Sequence, residues 1–488
     1  MPSTAALPIS NRWTPVEIPM LIGGAWRHAS DRNAYRERID PYRGNVIARV
    51  PESDERDVDD ALTSATRAAA QIARMPGYER AALLKRIGQL IADRHKEIAL
   101  AMTLETGKAI SDSLAEVVRS PDVFELAAAE AIRIEGEQVP IEGHPAGAGK
   151  FAFLLRFPVG VVAAITPFNS PLNLAAHKIA PAIAAGNAVV LKPAPQAPLV
   201  AHKLAEIFVA ANAPDGLLNV VYGDMAGPIL VRDPRVNFIS FTGSGRVGAQ
   251  IRAASGLRRV TLELGGNGST IVHADADIDA TAKACAHHSV RLSGQSCVSV
   301  QNIYVHDEIA DLFIERLVAD LSALQVGDPL NNATDVGTLI DEAAAQRVES
   351  WVSDAIAGGA RKLIGGQRVG AQFWPTVLTD VNPAMKVVCD EVFGPVVNVI
   401  RYRSFNDAIA QVNASPFGLQ VGVFVKSTEL ALLAVRELRC GGIIINGTSR
   451  WRTDQGAYGG VKNSGIGREG PKYAIRDMTE ERLVVFNY

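Results

Sequence analysis

The chain has 488 residues, which is too long for one hydrophobic core and predicts two or three domains. With 48% hydrophobic and 21% charged residues, it has the composition of an ordinary soluble globular protein. A formal net charge of −3 gives no electrostatic reason to expect nucleic acid or an anionic membrane as a partner.

The cysteine content and the apolar runs bear on the cellular compartment. Four cysteines (Cys285, Cys297, Cys389 and Cys440) are too few for a disulfide framework in a chain of this length. The first residues lack a basic region followed by an apolar run, so we expect no signal peptide. The longest apolar runs are interrupted by Gly, Pro or a charge before they reach membrane-spanning length. These features predict a cytoplasmic protein.

The first third of the chain has the periodicity of helices. Residues 54–105 and 114–135 alternate charged side chains with Ala, Leu and Ile at helical spacing, which predicts amphipathic helices. A stretch rich in Gly and Ala follows from residue 141 and ends in Phe-Ala-Phe-Leu-Leu at 151–155. A turn and an exposed strand are therefore expected between 141 and 155.

From residue 159 onward, short apolar runs alternate with helix-like segments such as 198–212. This alternation predicts a parallel sheet covered by helices on both faces. A second alternation of the same kind extends from residue 269 to residue 446, and the tail contains one more apolar run. The predicted strands are residues 159–165, 188–193, 218–223, 238–243, 302–305, 442–446 and 481–486.

Two glycine-flanked motifs contain the residues best suited to chemistry. The sequence Glu-Leu-Gly-Gly begins at Glu263, and the sequence Gly-Gln-Ser-Cys ends at Cys297. Glycines let a ligand approach the backbone closely, and a carboxylate and a thiol in such places suggest a cysteine nucleophile served by a glutamate base. Two upstream segments accompany the pair, Thr-Pro-Phe-Asn at 166–169 and Phe-Thr-Gly-Ser-Gly-Arg-Val-Gly at 241–248.

With these motifs in this order and spacing, the chain resembles the aldehyde dehydrogenase superfamily. The resemblance covers nearly the whole chain, from Ile-Gly-Gly-Ala-Trp at 22–26 to Gly-Ile-Gly-Arg-Glu at 465–469. Residues 114–140 and 472–478 resemble the branch that contains non-phosphorylating glyceraldehyde-3-phosphate and lactaldehyde dehydrogenases. The resemblance implies an enzyme that uses NAD or NADP to oxidise an aldehyde to the free carboxylic acid.

The resemblance also implies the architecture. An α/β fold is expected, with two open parallel-sheet, Rossmann-like domains and a small β piece through which subunits associate into a dimer or tetramer. The expected boundaries are 1–136 and 157–264 for the cofactor-binding domain, 265–464 for the catalytic domain, and 137–156 and 465–488 for the oligomerisation strands.

Four residues match positions that the family uses in catalysis. The resemblance implies that Cys297 attacks the aldehyde carbon, giving a thiohemiacetal that becomes a thioester, and that Glu263 activates the water that hydrolyses the thioester. Asn169 and the backbone N–H of Cys297 would hold the developing oxyanion. Lys178 matches a family lysine near the site, although a solvated helix residue is the alternative interpretation.

The phosphate-binding part of the cofactor site is expected where an apolar strand opens into a helix. N–H groups and the helix dipole can face an anion there, although a simple strand-to-helix turn would have the same pattern. By resemblance Gly243 and Gly248 form the family's G-x-x-x-x-G motif, and Ser244 lies near a phosphate. Thr166, Pro167 and Leu264 match further cofactor positions.

Two more segments are expected to bind the rest of the cofactor. By resemblance Lys192 binds the adenosine ribose, and Pro195 occupies a position where NAD-preferring members often have a glutamate. A proline neither binds the ribose hydroxyls nor repels a 2′-phosphate, so both NAD and NADP remain candidates. In Glu-Val-Phe-Gly-Pro, Glu391 would hold the nicotinamide ribose and Phe393 would pack beside the ring.

The substrate is expected to be a small aldehyde with an oxygen-rich or anionic group. In the branch named above, an arginine at the position of Arg119 can reach such a group. The alternative is a solvated helix charge that pairs with Glu116. Phosphate-binding members have an arginine and a tyrosine where this chain has Ser296 and Ser170, which argues against a full phosphate clamp. The predicted substrate-binding residues are Arg119, Phe168, Ser296, Trp451 and Tyr458.

Arg291 and the His287–His288 pair precede the cysteine motif and receive no function from the sequence. Adjacent histidines point to opposite sides of most elements, so no metal site is predicted.

Three other functions remain as alternatives. A CoA-acylating semialdehyde dehydrogenase typically lacks the glutamate base, so Glu263 argues against it. A catalytically silent protein of the same fold is disfavoured by the joint presence of Cys297, Glu263 and Asn169. A cysteine hydrolase would need a histidine partner and no dinucleotide site.

Overall fold

The computed structural model describes residues 13–31 and 33–488. Two large sheets with helices on their faces dominate the structure, and a three-stranded antiparallel sheet projects from them. The prediction of an α/β fold with two largely parallel sheets and a small β piece is confirmed.

The first sheet has eight strands, of which the five central ones are parallel. These five are Val-, Ile- and Ala-rich and nearly all buried, as expected for strands with helices on both faces. In spatial order the strands are Gly465–Ile466, Arg259–Glu263, Phe238–Thr242, Val161–Ile165, Ala188–Lys192, Leu218–Val220, Met20–Ile22 and Ala25–Arg27.

In the described residues of the first part of the chain, eight helices accompany this sheet. The first begins with a capping box, in which Asp54 and Asp57 exchange side-chain and backbone hydrogen bonds. The helices are Glu55–Ile72, Gly77–Asp93, His95–Thr106, Ile110–Ala131, Pro171–Ala184, Pro198–Ala210, Ala226–Arg232 and Gly245–Ala254. A separate small sheet joins Val16–Glu17, Val46–Pro51 and Tyr35–Ile39.

The second sheet has seven strands, parallel except at one edge. In spatial order they are Arg361–Ile364, Thr376–Thr379, Val396–Tyr402, Asn302–His306, Ser269–Val272, Gln420–Phe424 and Gly442–Ile445. The accompanying helices are Ile278–Val290, Ala310–Ser322, Glu342–Ala357, Lys386–Cys389, Phe405–Ala414 and Thr428–Glu437. Two short antiparallel pairs, Arg368–Val369 with Gln372–Phe373 and Phe417–Gly418 with Val461–Lys462, lie beside this sheet.

The tail divides differently from the predicted boundary at 465. Strand Gly465–Ile466 pairs with Arg259–Glu263 in the first sheet, and helix Pro471–Asp477 packs into the first hydrophobic core through Ala474 and Ile475. The reason is apolar burial, because both side chains are almost inaccessible to solvent. Residues 465–478 therefore belong with the first sheet and not with the small β piece.

The projecting sheet has three antiparallel strands among the described residues. Thr479–Asn487 pairs along its whole length with Lys150–Pro158, which also pairs with Glu137–Val139. Short 3₁₀ turns, Ile141–Gly143 and Pro145–Gly147, occupy the Gly- and Ala-rich stretch in between.

Candidate active site

The predicted motifs surround one cleft of about 1040 Å³. It opens at the carboxyl ends of the parallel strands of the first sheet, which is where open α/β sheets bind ligands. The predicted residues that line it are Thr166, Pro167, Phe168, Asn169, Lys192, Pro195, Gly243, Ser244, Glu263, Leu264, Cys297, Glu391, Phe393 and Tyr458. Of the described residues predicted for the site, five lie outside this lining: Arg119, Lys178, Gly248, Ser296 and Trp451.

Cys297 follows a tight segment of unusual backbone conformation. The 3₁₀ turn Arg291–Gly294 contains Leu292 and Ser293 with φ near +57° and +54°, a left-handed conformation that side chains disfavour. Asp112 of helix Ile110–Ala131 holds this turn, because its carboxylate accepts the Leu292 N–H at 2.7 Å and pairs with the Arg291 guanidinium. The structure thus gives Arg291 a role that its sequence did not reveal, in fixing the turn before Cys297.

The Cys297 thiol is held in a low-dielectric environment beside one hydroxyl. Its Sγ lies 3.1 Å from Tyr458 Oη. Burial raises the pKa of Cys297 to about 12, and the hydrogen bond with Tyr458 acts in the opposite direction.

Glu263 ends strand Arg259–Glu263 and is buried. Neither of its carboxylate oxygens has a hydrogen-bond partner among the described residues. Burial first, and then the negative charge of Glu469, raise the pKa of Glu263 well above its usual range. A carboxylate shifted in this way can accept a proton near neutral pH, as a general base must.

A buried charge network lies behind Glu263. Lys178 Nζ donates to Thr242 Oγ1 at 2.7 Å and to Glu469 Oε1 at 2.9 Å, and an Arg452 N–H donates to Glu469 Oε2 at 3.0 Å. Burial acts to raise the pKa of Glu469. The positive charges of Lys178 and Arg452 outweigh burial and lower this pKa to about 2. Lys178 is fully buried, so the interpretation as a solvated helix residue is wrong.

Asn169 points its side chain toward the Cys297 segment. Its Nδ2 donates to the Gln295 carbonyl at 2.9 Å, and its own carbonyl accepts from Lys108 Nζ at 3.1 Å. Lys108 is paired with Glu116, which also accepts two N–H groups in the first turn of helix Pro171–Ala184. The sequence gave no reason to connect Lys108 or Glu116 with Asn169, because charges in an amphipathic helical region resemble solvated ones.

The helix N-terminus expected to face an anion borders the cleft. Ser244 is the N-cap of helix Gly245–Ala254, and its Oγ accepts the Val247 N–H at 3.4 Å. Gly248 does not line the cleft. It lets its helix pack against Leu264, because a Cβ at this position would overlap the Leu264 side chain. Without that glycine the helix could not approach the strand so closely.

Lys192 and Pro195 also line the cleft. Burial lowers the pKa of Lys192, while the negative charges of Asp224 and Glu52 raise it. Arg36 pairs with both of these carboxylates, at 2.9 Å from Glu52 and 3.0 Å from Asp224.

Glu391 crosses over the backbone that follows Glu263. Its Oε1 accepts the Gly266 N–H at 3.2 Å, and a Cβ on Gly265 would collide with its carboxylate. Burial raises the pKa of Glu391 to about 7, with the Gly266 hydrogen bond opposing the shift. Gln301 supports this loop by donating to the Asp390 carbonyl at 2.8 Å, a role that the sequence gave no reason to expect.

Phe393 and Phe168 pack edge to face, with ring centroids 5.8 Å apart. Phe393 has a φ of +49°, so the loop presents this ring from a conformation that aromatic residues seldom adopt. Together the two rings form an apolar wall of the cleft next to Asn169.

Arg119 contacts neighbouring segments and not Glu116. It donates to Asn173 Oδ1 at 2.7 Å, and its Nε lies 3.3 Å from Asp454 Oδ2. The expected intrahelical pair with Glu116 is therefore wrong, since Glu116 binds Lys108 instead. The Asp454 carboxylate already offsets much of the positive charge of Arg119.

Among the described residues Arg450 forms no ion pair, whereas Arg119, Arg291 and Arg452 each pair with a carboxylate. Its Nε is buried and has no hydrogen-bond partner among the described residues. Burial lowers the pKa of Arg450 to about 10; Asp112 opposes this shift, while Arg291 and Arg119 add to it. Since Cys297 also influences it, the guanidinium lies within electrostatic range of the thiol. Trp451, next in the chain, is exposed.

In the His287–His288 pair, His288 is partly buried. Among the described residues, no group of three or more His, Cys, Asp or Glu side chains is arranged to hold a metal ion. Burial and the charge of Arg450 lower the pKa of His288 to about 4, so this imidazole is neutral at physiological pH. Its Nδ1 lies 2.6 Å from Thr448 Oγ1.

Comparison with known proteins identifies the family. The model of the aldehyde dehydrogenase family matches residues 26–484. The chain belongs to the aldehyde dehydrogenase family. It is thus an NAD(P)-dependent enzyme that oxidises an aldehyde, and the predictions of family and reaction class are confirmed.

Individual aldehyde dehydrogenases resemble the chain over nearly its whole length. The 3-sulfolactaldehyde dehydrogenase of Priestia aryabhattai is 44% identical over 96% of this chain and 98% of that protein. The lactaldehyde dehydrogenase of Methanocaldococcus jannaschii is 37% identical over 96% of this chain and 100% of that protein. The NADP-dependent glyceraldehyde-3-phosphate dehydrogenase of Bacillus halodurans, solved with NADP, has a TM-score of 0.94 at 35% identity, covering 96% of this chain and 99% of that one.

The site of this aldehyde dehydrogenase fits a nicotinamide dinucleotide. Glu391 packs closely over Gly265, where a Cβ would collide with its carboxylate; a capped helix N-terminus borders the cleft, and Lys192 is one of its lining residues. Relatives of known structure include both NAD-dependent and NADP-dependent enzymes, so the family uses either cofactor. No helix in the described part of the chain is long and apolar enough to cross a bilayer.

Proposed function

We propose that the enzyme converts a small anionic aldehyde to the free carboxylic acid through a covalent intermediate on Cys297. The observation that carries the proposal is the convergence of Cys297, Asn169 and Glu263 on the cleft that the cofactor motifs also line. Each of the three has the chemistry that one part of this reaction needs.

In the proposed reaction, the Cys297 thiolate attacks the carbonyl carbon and forms a C–S bond. The Asn169 Nδ2 amide and the Cys297 backbone N–H donate hydrogen bonds to the resulting oxyanion, and each such donor is worth about 2.7–4 kcal/mol of transition-state stabilisation. A bound nicotinamide supplies the hydride acceptor, and a thioester then remains on Cys297. Glu263 takes a proton from water, whose oxygen attacks the thioester and releases the acid and the thiolate.

The residues proposed to hold NAD or NADP are those at the two ends of the cleft. Ser244 and Gly243, at the helix N-terminus, would take the pyrophosphate, and Lys192 would take the adenosine ribose. Glu391 would bind the nicotinamide ribose, beside Phe393. Thr166, Pro167, Pro195 and Leu264 would line the cofactor, and Gly248 would support the phosphate turn by packing.

The proposed substrate carries an anionic or oxygen-rich group two or three bonds from the aldehyde. Relatives named for 3-sulfolactaldehyde, lactaldehyde and glyceraldehyde 3-phosphate support this class. Arg450, whose Nε is unpartnered, is the proposed main contact for the anion, with Arg119 in a lesser role because Asp454 offsets its charge. Phe168, Ser296, Trp451 and Tyr458 would complete the substrate side.

A panel of aldehydes tests the proposal. Reduced cofactor is followed at 340 nm with 3-sulfolactaldehyde, lactaldehyde, succinic semialdehyde and propanal, with NAD or NADP, and with or without CoA. We expect higher kcat/KM for the anionic aldehydes and no requirement for CoA. Turnover that depends on CoA would favour the acylating alternative, which the buried Glu263 base argues against.

We also propose that the protein self-associates through its projecting sheet and works in the cytoplasm. Phe151, Leu483 and Phe486 on this sheet are 45%, 58% and 56% exposed, which leaves an apolar surface uncovered in one chain. None of the four cysteines forms a disulfide, as suits a reducing compartment. A monomer in light scattering at micromolar concentration would contradict the association.

A further inference from the structure

The hydroxyl beside the nucleophile is the feature that the proposed mechanism leaves unused. Tyr458 Oη lies 3.1 Å from Cys297 Sγ, which is within hydrogen-bond range for sulfur. The Tyr458 side chain is buried and packs with Val298 and Leu419 in a small apolar cluster against Cys297. A hydroxyl enclosed in this way has few partners other than the thiol.

The ring of Tyr458 is fixed from two directions. The Arg452 guanidinium carbon lies 3.9 Å from the ring centroid, in a cation–π contact. The backbone of Tyr458 forms an isolated antiparallel bridge with Glu469, whose N–H donates to the Tyr458 carbonyl at 2.6 Å. Since Glu469 also binds the Arg452 guanidinium, one buried carboxylate residue holds both the ring and the cation above it.

The direction of the hydrogen bond between Tyr458 and Cys297 follows from the acidities of the phenol and the thiol. Burial first, and then the negative charge of a Cys297 thiolate, raise the pKa of Tyr458 well above its usual range, so the phenol stays protonated when the thiol ionises. A thiolate has no hydrogen to give, and the phenol therefore donates. A cation over the ring draws electron density from it and strengthens the O–H as a donor.

We propose that Tyr458 donates its phenolic hydrogen to Cys297 Sγ and stabilises the thiolate, with Arg452 holding the ring in position. This inference rests on the proposed function in one respect, that Cys297 is the reacting nucleophile. It gives Tyr458 a part in preparing the nucleophile, in addition to lining the substrate side. When the C–S bond forms and sulfur loses its charge, the hydrogen bond weakens and the hydroxyl can turn to another acceptor.

Other charged groups also shift the pKa of the Cys297 thiol, in addition to the hydrogen bond from Tyr458. Glu263 and Glu391 disfavour the thiolate, whereas Arg452 favours it, and Arg450 is within range as well. A hydrogen bond to a charged group is worth about tenfold to a hundredfold in an equilibrium constant. Loss of the Tyr458 hydroxyl should therefore lower the fraction of Cys297 present as thiolate by about tenfold to a hundredfold at any pH below the pKa of the thiol.

The test compares Tyr458→Phe with the wild type by alkylation, without any aldehyde. The phenylalanine keeps the ring and its contact with Arg452 but lacks the O–H. Iodoacetamide is used because it is neutral and reacts with the thiolate, and mass spectrometry of the peptide that contains Cys297 gives its rate from pH 6 to pH 10. Since the raised pKa of Cys297 lies above this range, the rate at each pH is proportional to the fraction of thiolate. Tyr402→Phe is the matched control, because Tyr402 is buried in the second sheet and donates to the Val272 carbonyl.

The expected result is that alkylation of Cys297 is slower by about tenfold to a hundredfold at each pH in Tyr458→Phe and unchanged in Tyr402→Phe. An unchanged or faster rate in Tyr458→Phe would overturn the inference, even if its aldehyde oxidation had fallen. The proposed function is judged separately, because it fails if Cys297→Ala still oxidises aldehydes. The alkylation rate can remain unchanged while the nucleophile assignment stands, so the two failures are distinguishable.

Discussion

The two sides of the cleft are built in different ways. The proposed cofactor side consists of Thr166, Lys192, Gly243, Ser244 and Glu391, and the first four lie at or just after the ends of neighbouring strands. The proposed substrate side brings Arg119 from a helix together with Arg450 and Tyr458 from a long loop. The cofactor side thus depends on local backbone geometry, whereas the substrate side depends on contacts between segments that are far apart in sequence. The proposed catalytic residues line the same cleft, and substitutions there should have the largest effects.

The largest effect is expected from Cys297→Ala. Both sides of the cleft remain intact, but no covalent intermediate can form, so kcat should fall by about 10⁴-fold or more. Absorbance at 340 nm measures turnover, and fluorescence titration with reduced cofactor measures binding, which should be nearly unchanged. Cys285→Ala, in the core of the second sheet, is the matched control. Residual turnover above a trace would show that another group is the nucleophile.

Glu263→Gln should separate the two halves of the reaction. A burst of reduced cofactor equal to the active sites is expected, followed by turnover slowed by about 10²–10⁴-fold, because the thioester forms but water lacks its base. In the wild type, turnover should fall as the pH drops through the raised pKa of Glu263, and the variant should lose this dependence. Stopped-flow absorbance measures both quantities, with the exposed Glu437→Gln as control. Absence of the burst would mean that Glu263 acts before the thioester forms.

The same variant has a predicted effect on stability. The folded-state pKa of Glu263 is raised, so its protonated form is favoured by folding, and its contribution to stability falls as the pH rises above the unfolded value of about 4.3. At pH 7–8, Glu263→Gln should therefore raise the melting temperature. A lowered melting temperature at this pH would contradict the unpartnered burial of the carboxylate.

Arg450→Gln tests the substrate side. Loss of a charge-assisted contact should lower kcat/KM for 3-sulfolactaldehyde or succinic semialdehyde by about tenfold to a hundredfold, with little change for propanal. Arg119→Leu should have a smaller selective effect, since Asp454 already offsets its charge. Steady-state kinetics with the exposed Arg403→Gln as control measures the difference. Equal losses for charged and neutral aldehydes would remove Arg450 from anion binding.

The smallest effect is expected on the cofactor side. Pro195→Glu adds a carboxylate where the adenosine ribose is proposed to bind, so it should repel a 2′-phosphate and lower kcat/KM with NADP by roughly tenfold relative to NAD. Pro195→Ala controls for loss of the ring. If both cofactors are affected equally by the glutamate, Pro195 does not face the ribose.

Much of the fold could be predicted from sequence because its signals are local. The apolar runs that end at 165, 192 and 242 correspond to strands of the first sheet, and glycines mark close approaches such as Gly265 under Glu391. The edge of that sheet could not be predicted in the same way. Gly465–Ile466 is two residues long, and its pairing with Arg259–Glu263 depends on a partner some two hundred positions earlier.

The candidate site was only partly predictable for the same reason. The sequence proposed Cys297, Glu263 and Asn169 from their motifs, and the structure places all three on one cleft. The sequence gave no reason to connect Lys108 with Asn169 or Asp112 with the turn before Cys297. It also suggested Glu116 as the partner of Arg119, because residues three apart on a helix are neighbours. In the structure Glu116 is buried and pairs with Lys108, so Arg119 pairs with Asp454 instead.

Helix Ile110–Ala131 has a consequence for how this enzyme can be altered. Asp112, Glu116 and Arg119 follow one another at spacings of four and three residues, so they share one face of the helix. From this face they reach the turn before Cys297, the first turn after Asn169, and Asp454 in the loop of Arg450. Inserting or deleting one residue upstream within the helix would rotate this face by about 100° and misalign all three segments at once. Redesign of substrate scope should therefore exchange the loop side chains and leave the length of this helix unchanged.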